Sequence, residues 1–202
     1  MSDIATYRAD LDVLLATAVD SATWPTALKD EALARGLWDF DGVLIYESEL
    51  TVTTAGQAQD VSSLSALDEV LAVAWPWRTG GDFGQLAVRW RTVDDHVIYL
   101  ERSAAPQVGD VIRVRHTRRH TIEGLGGASA TTVPSRHAPL VTLVAALWAI
   151  ALRLRQISEN PALPAQAMPG LHALRRELQA RYDLGLARVL NWSPVRWGVG
   201  EG

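Results

Sequence analysis

Between Leu140 and Leu152 the chain runs for 13 residues with Thr142 as the one polar side chain. A segment of that length and composition reads as a buried helix, and the rest of the chain has to supply its cover. Upstream of it, Val111, Arg113 and Arg115 alternate with Ile112, Val114 and His116, the period-two spacing of a strand. A sheet therefore ends, and a helical layer begins, within Val111 to Arg155. The 16 residues between His120 and His137 are rich in Gly, Ser and Thr. They exceed the usual length of a connection, so they are either disordered or used.

The chain has 202 residues, 48% hydrophobic and 21% charged, which suits one large domain or a domain carrying an insertion. It has no cysteine, which excludes a disulfide framework, a thiolate zinc site and a cysteine nucleophile. The apolar run stops at Arg153 and Arg155, short of the roughly 18 residues a membrane span needs, so no membrane partner is expected. Ser2, Asp3 and Ile4 do not begin a basic, apolar signal segment, and synthesis in the cytosol is expected.

The net charge of -4 conceals a division along the chain. Residues 1–69 carry 13 Asp/Glu against Arg8, Lys29 and Arg35, a net of -10; residues 70–202 carry 16 Arg against 10 acids, a net of +6. Opposed fields of this kind fit head-to-tail self-association better than nucleic-acid reading. A chance distribution of surface charge is the plainer alternative.

Taken in order, Ile4, Tyr7, Leu11, Leu14, Leu15 and Ala18 mark one face of a helix over about residues 3–18. Pro25 opens a second helix with the stripe Leu33, Leu37, Phe40 and Leu44, backed by Trp38 and ending near Asp41 and Gly42. From Tyr46 the period changes to two. Strands are expected over 47–54, 70–77, 86–91, 97–100 and from 111 onward, too close together for crossover helices, hence an antiparallel meander or small sandwich. After the apolar helix, residues 159–170 read as a linker with Pro169 placed to open the last helix. That helix has Leu171, Leu174, Leu178, Tyr182 and Leu186 on one face and Arg175, Arg176, Gln179 and Asp183 on the other.

The fold class is thus α+β: a bundle of about four helices with an inserted antiparallel sheet or small sandwich. Its expected parts are a helical pair (1–45), the β insertion (46–120), the long loop (121–138), helices completing the bundle (139–190) and a tail (191–202). The tail has no periodicity yet holds Trp192 and Trp197, which are expected to dock on something.

The chemistry-bearing patterns are weak. His116 and His120 have ligand-like spacing only on a helix; along a strand four residues span about 13 Å, so no metal site is expected, and Asp94, Asp95 and Glu123 do not complete one. His96 and His137 read as turn and loop residues and His172 as helix surface. Gly124, Gly126 and Gly127 resemble a phosphate cradle in composition alone, without the Lys-Ser/Thr ending. Ser129 lacks the frame of a nucleophile elbow. Arg113, Arg115, Arg118 and Arg119 could hold phosphates, with Trp75, Trp77 and Trp90 as a stacking platform, but ion pairs to the acidic part and sheet-core tryptophans are the favoured readings.

The element order carries more than any motif. A helix and a Pro-opened helix ending in Leu37-Trp38-Asp39-Phe40 precede inserted strands, then His120 to Pro134 and an Ala-rich helix. This resembles the head-to-tail adaptor (connector) proteins of tailed bacteriophages, most closely over Leu28–Phe40, Val70–Trp75 and Thr117–Ala151. The resemblance implies a non-enzymatic virion protein without cofactors, located at the neck and assembled in the host cytoplasm. It implies a ring of twelve copies under the portal, extending the channel through which double-stranded DNA passes without sequence-specific binding, and joined to a downstream neck or tail completion protein. On this reading Arg113, Arg115, Arg118 and Arg119 are candidates for the subunit interface. Gly124, Gly126, Gly127 and Thr131 form a candidate assembly loop that orders on ring formation. Trp192, Arg196 and Trp197 are candidates for docking on the portal. A nucleic-acid-binding module using the arginine- and tryptophan-rich sheet face is the alternative.

Overall fold

The computed structural model of the protein describes residues 2–15, 24–78, 80–160, 163 and 165–192. The elements are α1 (Ile4–Leu15), α2 (Thr26–Asp41), β1 (Tyr46–Thr51), β2 (Ala58–Asp60), β3 (Leu67–Ala74), α3 (Phe83–Leu86), β4 (Ala87–Val88), β5 (Trp90–Asp94), β6 (Val97–Leu100), β7 (Val111–Arg118), α4 (Ala138–Glu159) and α5 (Met168–Trp192). The fold is α+β, and every strand pair is antiparallel. The chain forms two compact units, one from Met1–Phe40 with His120–Gly202 and one from Asp41–Arg119.

In the helical unit, Asp3 caps α1 by accepting from the Thr6 amide at 2.9 Å, and the helix buries Tyr7, Leu11 and Leu15 at four-residue spacing. α2 buries Leu28, Ala32, Leu33, Leu37 and Phe40. Both Asp30 oxygens accept from Arg8 at 2.7 Å and Lys29 reaches Asp12 at 2.9 Å, so the two helices are joined by ion pairs. α4, with Pro139 in its first turn, buries 11 of its 22 residues, from Leu140 to Ile157. By length and composition it could cross a membrane, yet most of that stretch is buried inside the protein. α5 buries Leu171 and Leu178 and leaves Leu174, Tyr182 and Leu186 half-buried, the expected face.

α2 and α4 approach unusually closely. A Cβ added at Gly36 would lie 2.8 Å from the Ala145 amide nitrogen and 3.0 Å from its Cα, so the absence of a side chain at 36 sets the crossing distance. Gly185 of α5 also faces α4, but there an added Cβ would meet the tip of the Leu140 side chain, which can rotate away.

The second unit is a small sandwich. A four-stranded sheet of order β1-β7-β3-β4 and a three-stranded sheet of order β2-β6-β5 contribute to one core, in which Val73, Leu100, Ile112 and Val114 are fully buried or nearly so. It is not a meander, because β7 comes last in the chain and lies between β1 and β3. β7 is the long central strand, with most of its residues buried. The single strand expected over 86–91 is instead the end of α3, the two-residue β4 and the start of β5. The short α3 is capped by Asp82, which accepts from the Gly84 amide. β2 was not expected, since three residues are too few to show a period.

Gly36→Ala is expected to lower stability by about 1–3 kcal/mol, because the new methyl group meets backbone that cannot rotate away. This outweighs the gain of about 1 kcal/mol in helix propensity. Gly185→Ala is expected to cost less than Gly36→Ala, and urea unfolding of the two variants against the parent gives the comparison.

Candidate functional site

The four arginines of the β7 region do not form one cluster, because strand alternation separates them. Arg113 and Arg115 share one face of the sheet, and the register places Arg115 opposite Glu47 and Arg113 opposite Glu49. Arg115 Nε donates to Glu47 at 2.6 Å, and Arg113 reaches Glu47 at 2.6 Å and Glu49 at 2.9 Å. Trp77 Nε1 donates to Glu49 at 2.8 Å. The Arg113 guanidinium lies 4.5 Å over the Trp77 ring and that of Arg115 lies 3.9 Å over Phe83. Burial pushes the Glu47 carboxyl up, but hydrogen bonds from Arg115 and Arg113 outweigh it and hold the group below its ordinary value.

Arg118 is on the opposite face, 4.5 Å over the Tyr46 ring and 3.5 Å from Ser48 Oγ. Arg119 lies past the strand and pairs with Asp68 at 3.1 Å while remaining mostly exposed. Trp75 and Trp77 are buried and Trp90 is packed against the sandwich core, so these three do not form an open stacking platform.

Folding also removes the charge division. The sandwich unit, 41–119, has 11 Asp/Glu and 8 Arg, a net of -3; the rest of the chain has 12 acids and 11 bases, a net of -1. Acidic β1 lies against arginine-bearing β7, so halves that oppose each other along the sequence neutralise each other across a strand pair. The charge asymmetry read along the chain is therefore not a property of the folded surface.

The long loop is closed within a single chain. Thr132 N–H donates to Thr121 O at 2.9 Å, and the Thr121 amide donates to Thr132 Oγ1 at 2.8 Å. Gly124, Gly126 and Gly127 have φ of +86, +59 and +82, the left-handed region where glycine is unstrained. Ile122 is fully buried. The loop also clasps the start of the chain: Ile4 N–H donates to Glu123 O at 3.0 Å and Thr131 Oγ1 donates to Ser2 O at 2.6 Å. A Cβ on Gly124 would lie 2.9 Å from Ile4 Cγ2. Several of the loop's backbone groups thus find partners within one copy, Gly124, Leu125, Ala128 and Thr132 among them. Of the candidate assembly residues, Gly124 and Thr131 face inward, while Gly126 and Gly127 have open space around them.

His116, His120 and His137 are buried, whereas His96 and His172 are exposed. His116 is fully buried, with Nε2 3.1 Å from Ser48 Oγ, and stacks on Tyr46. His120 and His137 flank Phe40 at ring distances of 5.6 and 6.2 Å. His137 is buried, at the end of the short turn Ser135–His137 that leads into α4; Arg136 Nε donates to its Nε2 at 2.9 Å, which requires that nitrogen to be unprotonated. Burial first, then Arg136 and His120, push His137 below its ordinary value, and burial followed by Arg118 does the same to His116 against a raising contribution from the Thr117 carbonyl. Among the described residues, no group of three or more Asp, Glu, His or Cys could hold a metal ion.

Arg196 and Trp197 lie outside the described residues, and so does the side chain of Trp192. A surface feature the sequence reading missed is in the helical unit. Trp38, expected to back the buried stripe of α2, is 77% exposed. One residue past Leu37, at about 100° per residue, it turns away from that stripe. With Arg35, Asp39 and Trp148 it lines a groove of about 400 Å³. The Arg35 guanidinium lies 5.1 Å over the Trp148 ring, and Trp148 Nε1 donates to Asp39 at 2.6 Å. A tryptophan at the edge of an amphipathic pattern, next to an acid, was the available signal.

No protein-family model matches the chain, and no curated relative matches it. Among solved structures it is similar to a chain in "Neck of native GTA particle computed with C12 symmetry", at 20% identity over 87% of this chain and 86% of that one, with a TM-score of 0.27. It is also similar to a chain in "Neck of empty GTA particle computed with C6 symmetry", at 18% identity over 84% and 88%, with a TM-score of 0.29. TM-scores this low do not establish a shared fold.

Removing the shared carboxylate by Glu47→Ala leaves Arg115 without it, and the cost is expected to be about 2 kcal/mol, whereas Asp68→Ala, which frees the exposed Arg119, should cost less than about 1 kcal/mol. Thermal unfolding of both variants decides this. Because His116 and His137 sit below their ordinary value of 6.5, the unfolded chain binds more protons in acid. Their contribution to stability is complete above about pH 6.5 and is lost as pH falls below it, by at most about 1.4 kcal/mol per pH unit for each group. The decline in melting temperature from pH 7.5 to 5.5 should be shallower in His137→Asn.

Proposed function

We propose that the protein is a non-catalytic structural subunit of a phage-type neck, a head-to-tail adaptor. In this role it forms a ring of twelve copies beneath the portal, lengthens the channel for double-stranded DNA and presents a surface to the next neck or tail component. The observation that carries the reading is the architecture itself. Both ends of the chain build one helical unit around α4, with a β sandwich inserted between Phe40 and His120, the element order for which the sequence resembles the adaptor family. The reading rests on these residues, since the neck structures superpose too loosely to support it.

The electrostatics are compatible with a channel lining. A wall that lets DNA slide must not release counterions from many phosphates at once. Here Arg113, Arg115 and Arg119 are held by Glu47, Glu49 and Asp68, and both units have small negative net charge. The same ion pairs and the burial of Trp75 and Trp77 weigh against the nucleic-acid-binding alternative. The tail with Trp192, Arg196 and Trp197 is the proposed portal-docking segment, and the open tip at Gly126 and Gly127 is the part of the loop free to meet a neighbour.

Particles assembled without this chain should package DNA, lose it and fail to join tails, and electron microscopy of complete particles should show the chain as a ring directly beneath the portal. Particles that lack it and still hold DNA and carry tails would rule the role out.

A further inference from the structure

Among the described residues, α2 and α5 each leave one large apolar side chain in water on a face that is otherwise polar. Trp38 is 77% exposed on α2 and Leu184 is 58% exposed on α5. The two surfaces differ in direction. Tyr182 of α5 is half-buried, one turn before Gly185, which faces Leu140 of α4, so that side of α5 turns toward the helix that carries Trp148. Leu184, two residues on and about 200° around the helix, points away from it. One copy therefore cannot bring its own Leu184 to its own groove.

Their charges are complementary. α1 and α2 together carry six Asp/Glu against Arg8, Lys29 and Arg35, a net of -3, whereas α5 carries four Arg against Glu177 and Asp183, a net of +2. Arg181 pairs with Glu177, but Arg175, Arg176 and Arg188 make no ion pair among the described residues. Arg188 is one turn beyond Leu184, on the same exposed face, with the small Ala180 and Ala187 beside them. In the groove, the Asp39 carboxylate lies next to the open indole of Trp38, a pairing that takes an arginine by charge and by ring face together.

We infer that the groove of Arg35, Trp38, Asp39 and Trp148 on one copy receives the outward face of α5, centred on Leu184 and Arg188, from a second copy. Because the two faces differ, the contact is heterologous, and its repetition closes a ring or extends a filament. A desolvated tryptophan with an arginine against it is the usual composition of an energetic centre in an interface. This deepens the neck reading and rests on it for the ring, but the contact itself can be tested without a particle.

The chain has no cysteine, so single cysteines report contacts cleanly. Full-length chain with Ala34→Cys, one turn from Trp38, mixed under mild oxidation with full-length chain with Ala187→Cys, beside Leu184, should form a disulfide-linked heterodimer at least about tenfold faster than either alone, the gain a contact worth about 1.4 kcal/mol confers. Val13→Cys, at a site 75% exposed on α1, mixed with Ala187→Cys sets the rate of random encounter. Asp39→Arg in the first chain should abolish the gain, and Arg188→Asp in the second should restore it. A mixture no faster than the Val13→Cys control overturns the inference, as does equal cross-linking of one variant with itself or failure of the charge swap to restore it. All five positions are on the surface, and circular dichroism verifies that each variant folds. If the chain forms a ring beneath the portal while the cross-link is absent, the interface is wrong and the neck role stands. If particles do not need the chain while the cross-link forms, the neck role falls and the self-association stands.

Discussion

The helical unit depends on α4 being covered on all the sides that its composition makes apolar. A helix this poor in charge cannot remain in water, and no neighbouring segment in sequence is long enough to cover it alone. The cover comes from both ends of the chain: α1 and α5 pack on it, and α2 approaches so closely that Gly36 touches the Ala145 backbone. This explains why a domain of this size can take a 79-residue insertion between Phe40 and His120. The inserted chain leaves and returns to one unit and has a core of its own, so each part can satisfy its apolar side chains without the other.

In the sandwich the deciding constraint is electrostatic. β7 is central, so both its edges are paired, yet it carries Arg113 and Arg115 on one face. A buried guanidinium without a partner costs several kcal/mol. The answer is local: the same register that pairs the backbones of β1 and β7 puts Glu47 and Glu49 opposite the two arginines, and Trp77 and Phe83 lie against their planar faces. A charge segregated along the sequence is thus a consequence of antiparallel pairing, in which residues 66 and 68 positions apart become neighbours.

What the sequence reveals follows the range over which each signal acts. The stripes of α1, α2 and α5 are local and periodic, and they could be read residue by residue; so could the alternation of β7. Topology could not, because the position of β7 between β1 and β3 is set by packing that no short window contains. The linear charge count misled for the same reason, since it treats as separate what a strand pair joins. The long loop's composition left open whether it was disordered or used, and its internal pairing could not be read from it: the glycines supply positive φ, and Thr131 and Thr132 accept from backbone amides. Trp38 was placed inside because large aromatics generally are, and a shift of one helix position reverses that.

These misreadings bear on how such a subunit associates. Once Arg113, Arg115 and Arg119 are engaged internally, opposed charge on whole halves of the molecule can no longer drive assembly; what remains is charge on single helices and apolar groups that the fold leaves uncovered. Natural sequences agree across local pattern and tertiary packing except where another demand overrides it. Among the described residues of α2 and α5 the polar face of each is interrupted by one large apolar side chain, Trp38 or Leu184, with an acid next to the first and an unpaired arginine near the second. Neither gains anything within one copy, for neither is buried. The proposed contact gives the interruption on each helix a physical reason, supplied by the other from a second molecule.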